Sequence, residues 1–256
     1  MQLILFLAIG LTAGSLMGRV VDRLPMIVQR DLRDHVGKTR LTLWSPGSHC
    51  SHCNNVVKRG DTLPLLSWLL LRGRCRYCRG IIPFRYLMFE ALCLLASIYS
   101  VYQHPTSPVL ALAIFLYFWF ALTLSVIDYR YYLLPDTLTL PLLWLGLLFN
   151  LHSGVVTCED AVTGAAAGYL FLWALYWLVW LLRHKEGLGF GDFKLLAAAG
   201  AWTGWQSLPV ILLAASLIGV IWGLVLMVKK PHVSPVIPFG PALAASGFGY
   251  FYWFIT

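Results

Sequence analysis

The sequence predicts an all-α polytopic membrane protein with about eight transmembrane helices and one small cytoplasmic domain. Three observations carry this. Of its 256 residues 59% are hydrophobic and only 12% charged, with a mean hydropathy of +0.73, whereas about a quarter of a soluble domain is charged. Long apolar runs recur along most of the chain, each near the 20 or so residues that one span needs. The 19 Lys and Arg gather in alternate connections between those runs. Together these exclude a large soluble enzyme on one anchor, a disordered chain and a disulfide-knit secreted one.

The first span is expected at 2–21. No Lys or Arg precedes Arg19, and a cleaved signal peptide carries its basic segment first, so an uncleaved span with its N-terminus outside is expected. The segment 22–86 follows as the extramembrane domain. Further spans are expected at 87–104, 108–127, 137–151, 161–182, 193–205, 207–228 and 236–255. The fourth and sixth are short, flanked by Leu134-Pro135-Asp136 and by Gly187 to Gly191. Irregular backbone at membrane depth is tolerated only where protein or a wet cavity satisfies its polar groups, so a site is expected there.

Thirteen of the 19 basic residues lie between Arg19 and Arg85; Arg130, then Arg183, Lys185 and Lys194, then Lys229 and Lys230 complete the set. The connections 103–107, 150–160 and 203–206 hold none. This alternation is the positive-inside pattern, with both termini outside and the 22–86 domain cytoplasmic. The formal charge of +8 thus records topology. Nucleic acid is not an expected partner; membrane lipid is.

Cys50-Ser-His-Cys53 and Cys75-Arg-Tyr-Cys78 are two C-x-x-C pairs. Each closes a tight turn that offers two thiolates, and two such turns complete a tetrahedral Zn(2+) shell. Four thiolates leave no place for a reacting water, so the zinc would be structural, stapling a domain too small to rely on its core alone. His49 and His52 are surplus to that shell. Cys93 and Cys158, in or beside apolar segments, read as small hydrophobes.

Five of the 11 acidic residues, Glu90, Asp128, Asp136, Glu186 and Asp192, fall at the expected inner membrane boundary, where ionisable groups suggest function. Asp136 after Pro135 reads first as a helix N-cap. Asp128 ends an apolar run, at the helix end where the dipole disfavours a carboxylate. Asp192 follows the glycines of Gly187-Leu-Gly189-Phe-Gly191-Asp192-Phe-Lys194, which permit a sharp turn and close approach; a cap of a helix starting at Phe193 is the other reading. Asp128 and Asp192 reach the same membrane face. Two carboxylates sharing a site do not both ionise easily, which supplies one base and one acid.

The sequence resembles the type IV prepilin peptidases, membrane aspartic proteases of the Gly-x-Gly-Asp class, over nearly its whole length. The resemblance rests on Gly14-Ser15, Arg23-Leu24-Pro25, the two C-x-x-C pairs, Leu65-Leu66-Ser67-Trp68, Leu71-Arg72-Gly73-Arg74-Cys75 and Tyr86 to Glu90. It continues through Asp128, Leu134-Pro135-Asp136, Glu186 to Lys194 and Gly200-Ala-Trp202. It implies a zinc-stapled four-cysteine domain at 22–86 and an aspartic peptidase domain of about seven helices at 87–256. It implies Asp128 and Asp192 as the catalytic pair, with the acid and base roles open between them. Lys194, Glu186, Asp136, Gly189 and Gly191 stand beside them as supporting residues. It also implies a bacterial inner-membrane location and a substrate, type IV prepilins or type II secretion pseudopilins, cut after the Gly that ends a basic leader. Many members then methylate the new N-terminus with S-adenosylmethionine. The chain departs from the family at Gly18, where an Asn is usual before the first cytoplasmic loop, at Ser51 and at Thr62-Leu63-Pro64; these departures bear on methyl transfer more than on cleavage, so a peptidase without methyl transfer is one alternative. Another is a polytopic transporter or proton relay, for which intramembrane carboxylates and broken helices are also expected.

Overall fold

The structure, a computed structural model, describes residues 2–33, 42–45, 47, 49–50, 52–57, 65–184, 189–229 and 237–255. Among these the regular structure is helical: α1 (Gln2–Arg33), α2 (Leu66–Leu70), α3 (Phe84–Gln103), α4 (Pro108–Tyr131), α5 (Asp136–Ser153), α6 (Cys158–Arg183), α7 (Phe190–Thr203), α8 (Leu208–Lys229) and α9 (Gly240–Ile255). Five of the described stretches are long and apolar enough to cross a membrane: Gln2–Arg30, Phe84–Gln103, Pro108–Tyr131, Cys158–Leu182 and Trp205–Val228. The other three of the eight expected spans coincide with α5, α7 and α9, which have only 18, 14 and 16 residues. At 1.5 Å per residue α7 is about 21 Å long, short of the ~30 Å hydrocarbon core.

The chain forms two compact units, Met1–Trp119 and Phe120–Thr256, divided within α4. In the first, α1 does not stop at residue 21 but continues to Arg33 with Pro25 inside it. Its buried face carries Gly10, Gly14 and Gly18, at a spacing of four that stacks them on one side of a helix. A Cβ on Gly10 would lie 2.3 Å from Ser97 Oγ, one on Gly14 2.5 Å from Glu90 Cα, and one on Gly18 2.9 Å from the Tyr86 ring. Rising numbers on α1 meet falling ones on α3, so the helices are antiparallel. Their close approach is of the small-xxx-small kind used where no hydrophobic effect drives helices together.

In the second unit α7 is the core. Every residue from Asp192 to Thr203 except the half-buried Lys194 is buried, and a helix apolar nearly all round belongs inside a bundle. Gly200 packs backbone to backbone with Gly164 of α6: a Cβ on either would come within 2.2–2.5 Å of the other's carbonyl oxygen. Trp202 donates its indole N–H to Leu142 O of α5 at 2.9 Å, stacks on Phe149 and meets the edge of Phe251 of α9. Asn150, 2% exposed, donates to the carbonyls of Ala201 and Trp202 and accepts from Val156 N–H. One amide therefore ties the end of α5 to the end of α7.

Candidate active site and metal centre

The two cysteine turns share one bonding pattern. Asn54 N–H donates to Cys50 O, and Arg79 N–H to Cys75 O, both at 3.0 Å. Cys50 N–H donates to Asn55 O, and Cys75 N–H to Gly80 O. Bridges His49–Val56 and Arg74–Ile81 close the two turns at equivalent positions. Asn54 and Arg79, each just past the second cysteine of its pair, have positive φ of 53° and 56°, the left-handed step that lets the chain fold back.

The four Sγ atoms lie within 4.8 Å of one another, so Cys50, Cys53, Cys75 and Cys78 can hold one metal ion. Cys50 Sγ and Cys78 Sγ are 3.7 Å apart; a tetrahedron with 2.3 Å zinc–sulfur legs has edges of about 3.8 Å. The backbone N–H groups of Cys53 and His52 draw the Cys50 thiol down to about 6, toward the thiolate that a metal requires. The ring of His52 lies over Gly80, outside the group of four. Cys93 is buried between α1 and α3, as a small hydrophobe would be, while Cys158 stands exposed at the start of α6.

In the second unit Asp128 and Asp192 are 7% and 8% exposed. Asp128 sits in the last turn of α4, which ends where Tyr132, at φ 52°, donates its N–H to Asp128 O at 2.9 Å. Helix α7 begins at Phe190, earlier than the expected 193, so Asp192 lies in its first turn with Gly189 as N-cap. The Gly189 backbone amide hydrogen-bonds to the Asp192 carboxylate, half of a capping box. The capping reading of Asp192 and the functional one thus describe the same side chain. The two carboxylates are near enough for the charge of Asp128 to act on Asp192. Such a pair can hold one proton between them, with one member as acceptor and the other as donor.

A third group completes this cluster and has no counterpart among the residues the sequence singles out. Gly240 N–H, the first amide of α9, donates to Asp128 Oδ2 at 3.0 Å. A Cβ at Gly240 would lie 2.6 Å from that same oxygen, so only glycine admits the carboxylate so close. Unpaired amides at a helix N-terminus favour an anion. The signal available is Phe239-Gly240-Pro241, a helix start by its proline, but nothing local links it to Asp128.

The supporting residues divide. Asp136 is the first residue of α5 rather than its N-cap, which is Pro135; its carboxylate instead takes Lys194 Nζ at 2.6 Å. The pair joins the starts of α5 and α7, within a turn of Asp192. Gly191 packs on Leu134, 2.6 Å from where its Cβ would stand, and Gly189 leaves 3.5 Å to Asp192 Oδ2. Glu186 lies outside the described residues.

A profile described as the Type IV leader peptidase family matches residues 115–224, and one described as the Bacterial Peptidase A24 N-terminal domain matches residues 8–104. Curated relatives named "Prepilin leader peptidase/N-methyltransferase" are similar over almost the full length. That of Aeromonas hydrophila is 45% identical, covering 95% of this chain and 88% of the relative. That of Stutzerimonas stutzeri is 42% identical over 96% and 89%, and that of Dickeya chrysanthemi 44% over 96% and 90%. No solved structure gives a significant match. With these identities over nearly the whole sequence, the chain belongs to the type IV leader peptidase family.

Proposed function

We propose that this chain is a multi-pass aspartic endopeptidase of the bacterial inner membrane that cleaves the leader of type IV prepilins or type II secretion pseudopilins after Gly. Asp128 and Asp192 act on one water: one takes its proton as it attacks the scissile carbonyl, the other gives a proton to the departing amine. The observation that carries this is the burial of two carboxylates from different helices close enough to interact, one of them held by the Gly240 amide. That amide keeps Asp128 oriented without giving it a proton. Lys194 and Asp136 brace the base of α7.

The reading extends to the topology that the charge pattern supports: eight spans, both termini periplasmic, and the 22–86 domain cytoplasmic with zinc in its four-cysteine shell, ahead of a peptidase domain at 87–256. It extends also to methylation of the N-terminus exposed by cleavage, on the names of the relatives. S-adenosylmethionine supplies the activated methyl group.

The test is prepilin processing by purified protein. Asp128→Asn and Asp192→Asn should each lower cleavage by at least about a hundred-fold at unchanged protein level. Wild-type cleavage by either variant overturns the assignment.

A further inference from the structure

In the second unit the chain reaches the Asp128 carboxylate along an irregular segment. Residues 237–239 lead into Gly240, the first residue of α9, and belong to no helix. They lie along α8. A Cβ on Gly223 would stand 2.7 Å from Ile237 Cδ1, and one on Gly219 3.9 Å from the Phe239 ring. Gly219 and Gly223 share one side of α8, about 6 Å apart along its axis. Two residues of extended chain span about 6.6 Å and bring the side chain back to the same face. The match makes 237–239 an extended strip, with Ile237 and Phe239 against α8 and Pro238 on the opposite face.

Little of the strip's backbone is used. Phe239 O accepts from Leu243 N–H at 3.1 Å as α9 begins, and Gly240 N–H goes to Asp128 Oδ2. The carbonyls of Ile237 and Pro238 and the amide N–H of Phe239 have no hydrogen-bond partner among the described residues. All three residues are only half-buried, so these groups are open to a ligand. Irregular backbone at membrane depth needs partners for its polar groups.

We infer that this strip is where the substrate's main chain docks as an added strand beside the scissile bond. The inference rests on the proposed peptidase function and deepens it. A bond cut at membrane depth belongs to a chain whose spanning part is helical, and inside a helix each carbonyl is already bonded to an amide one turn on. The residues that enter the aspartate pair are therefore unwound. Unwinding frees their amides, beside the N–H groups that any helix N-terminus leaves unpaired. The strip offers what such a segment lacks, carbonyl acceptors and an amide donor, within three residues of the amide that meets Asp128. In an extended chain Ile237 O and Phe239 N–H share one edge, so one substrate strand can pair with both. Main-chain pairing of this kind sets the register of the bond against the carboxylates and leaves the choice of residues to side-chain pockets.

The experiment measures prepilin cleavage by the full-length wild-type protein in detergent. In each substrate one peptide N–H within four residues of the cut is replaced by an ester oxygen, the scissile bond itself left unchanged. Loss of the amide that donates to the strip should raise KM at least about ten-fold. The neighbouring positions should keep the wild-type KM, because adjacent amides of a strand point to opposite edges. Phe239→Pro removes the strip's donor and should raise KM by a similar factor; Phe239→Ala keeps that amide and should not, with the melting temperature measured on both. An unchanged KM at every ester position overturns the inference and leaves the strip to water. If the ester series is flat while Asp128→Asn and Asp192→Asn still abolish cleavage, the peptidase reading stands without the strip. If those two variants cleave as the wild type does, that reading falls and takes this inference with it.

Discussion

At the scale of single residues, a buried polar group matters most where it serves several partners. Asn150 satisfies two carbonyls and one amide inside the second unit. Asn150→Leu should therefore cost about 1–3 kcal/mol, seen as a lower melting temperature of the purified protein. Lys194→Met removes a partly exposed ion pair and should cost under about 1 kcal/mol; a larger fall in kcat at unchanged melting temperature would mean that Lys194 acts on the aspartates. Gly240→Ala places a methyl group 2.6 Å from Asp128 Oδ2 and should slow prepilin cleavage at least about ten-fold, read in the same processing assay. Asp128 and Asp192 are legible in the sequence because each stands where local electrostatics or membrane depth argues against a carboxylate. Gly240 is not, because its tie to Asp128 spans 112 residues and exists only through packing. The capping reading of Asp136 fails for the same reason: its carboxylate is engaged by Lys194, far along the chain.

Among elements, glycine decides how closely helices meet. Gly14→Val would drive a branched side chain into the backbone of α3, since its Cβ alone would lie 2.5 Å from Glu90 Cα. Overpacking of this kind costs about 1–3 kcal/mol, measurable by thermal unfolding in detergent. The cysteine turns are legible because their spacing is local and only one geometry satisfies both pairs. The length of α1 is not: Arg19, Asp22, Arg23 and Pro25 read as the end of a span. The helix continues because Val20, Val21 and Leu24 extend its buried face, and periodicity there outweighs the proline. Replacing Cys75 by Ser should remove bound zinc, checked by metal analysis, and lower the protein's resistance to proteolysis between residues 50 and 78.

For the whole molecule, the charge pattern makes a topological prediction. Reporter fusions at 104–107, 154–157 and 203–206 should be periplasmic, and one at 184–189 cytoplasmic; reversal at any of these would break the eight-span reading. The hydropathy of the long helices is plain in the sequence. The shortness of α7 is visible too, but its central place is not, since periodicity cannot tell a helix enclosed by protein from one facing lipid.

That place bears on biogenesis. A rod of 14 residues, too short for the bilayer and enclosed by protein along almost all its length after Asp192, gains little from lipid when it first leaves the ribosome. Its partners α5 and α6 are made before it, but α9 is made after it. The amide that orients Asp128 therefore exists only once α9 is synthesised. A nascent chain that already carries both aspartates but not yet Gly240 therefore lacks the backbone amide that meets Asp128 Oδ2.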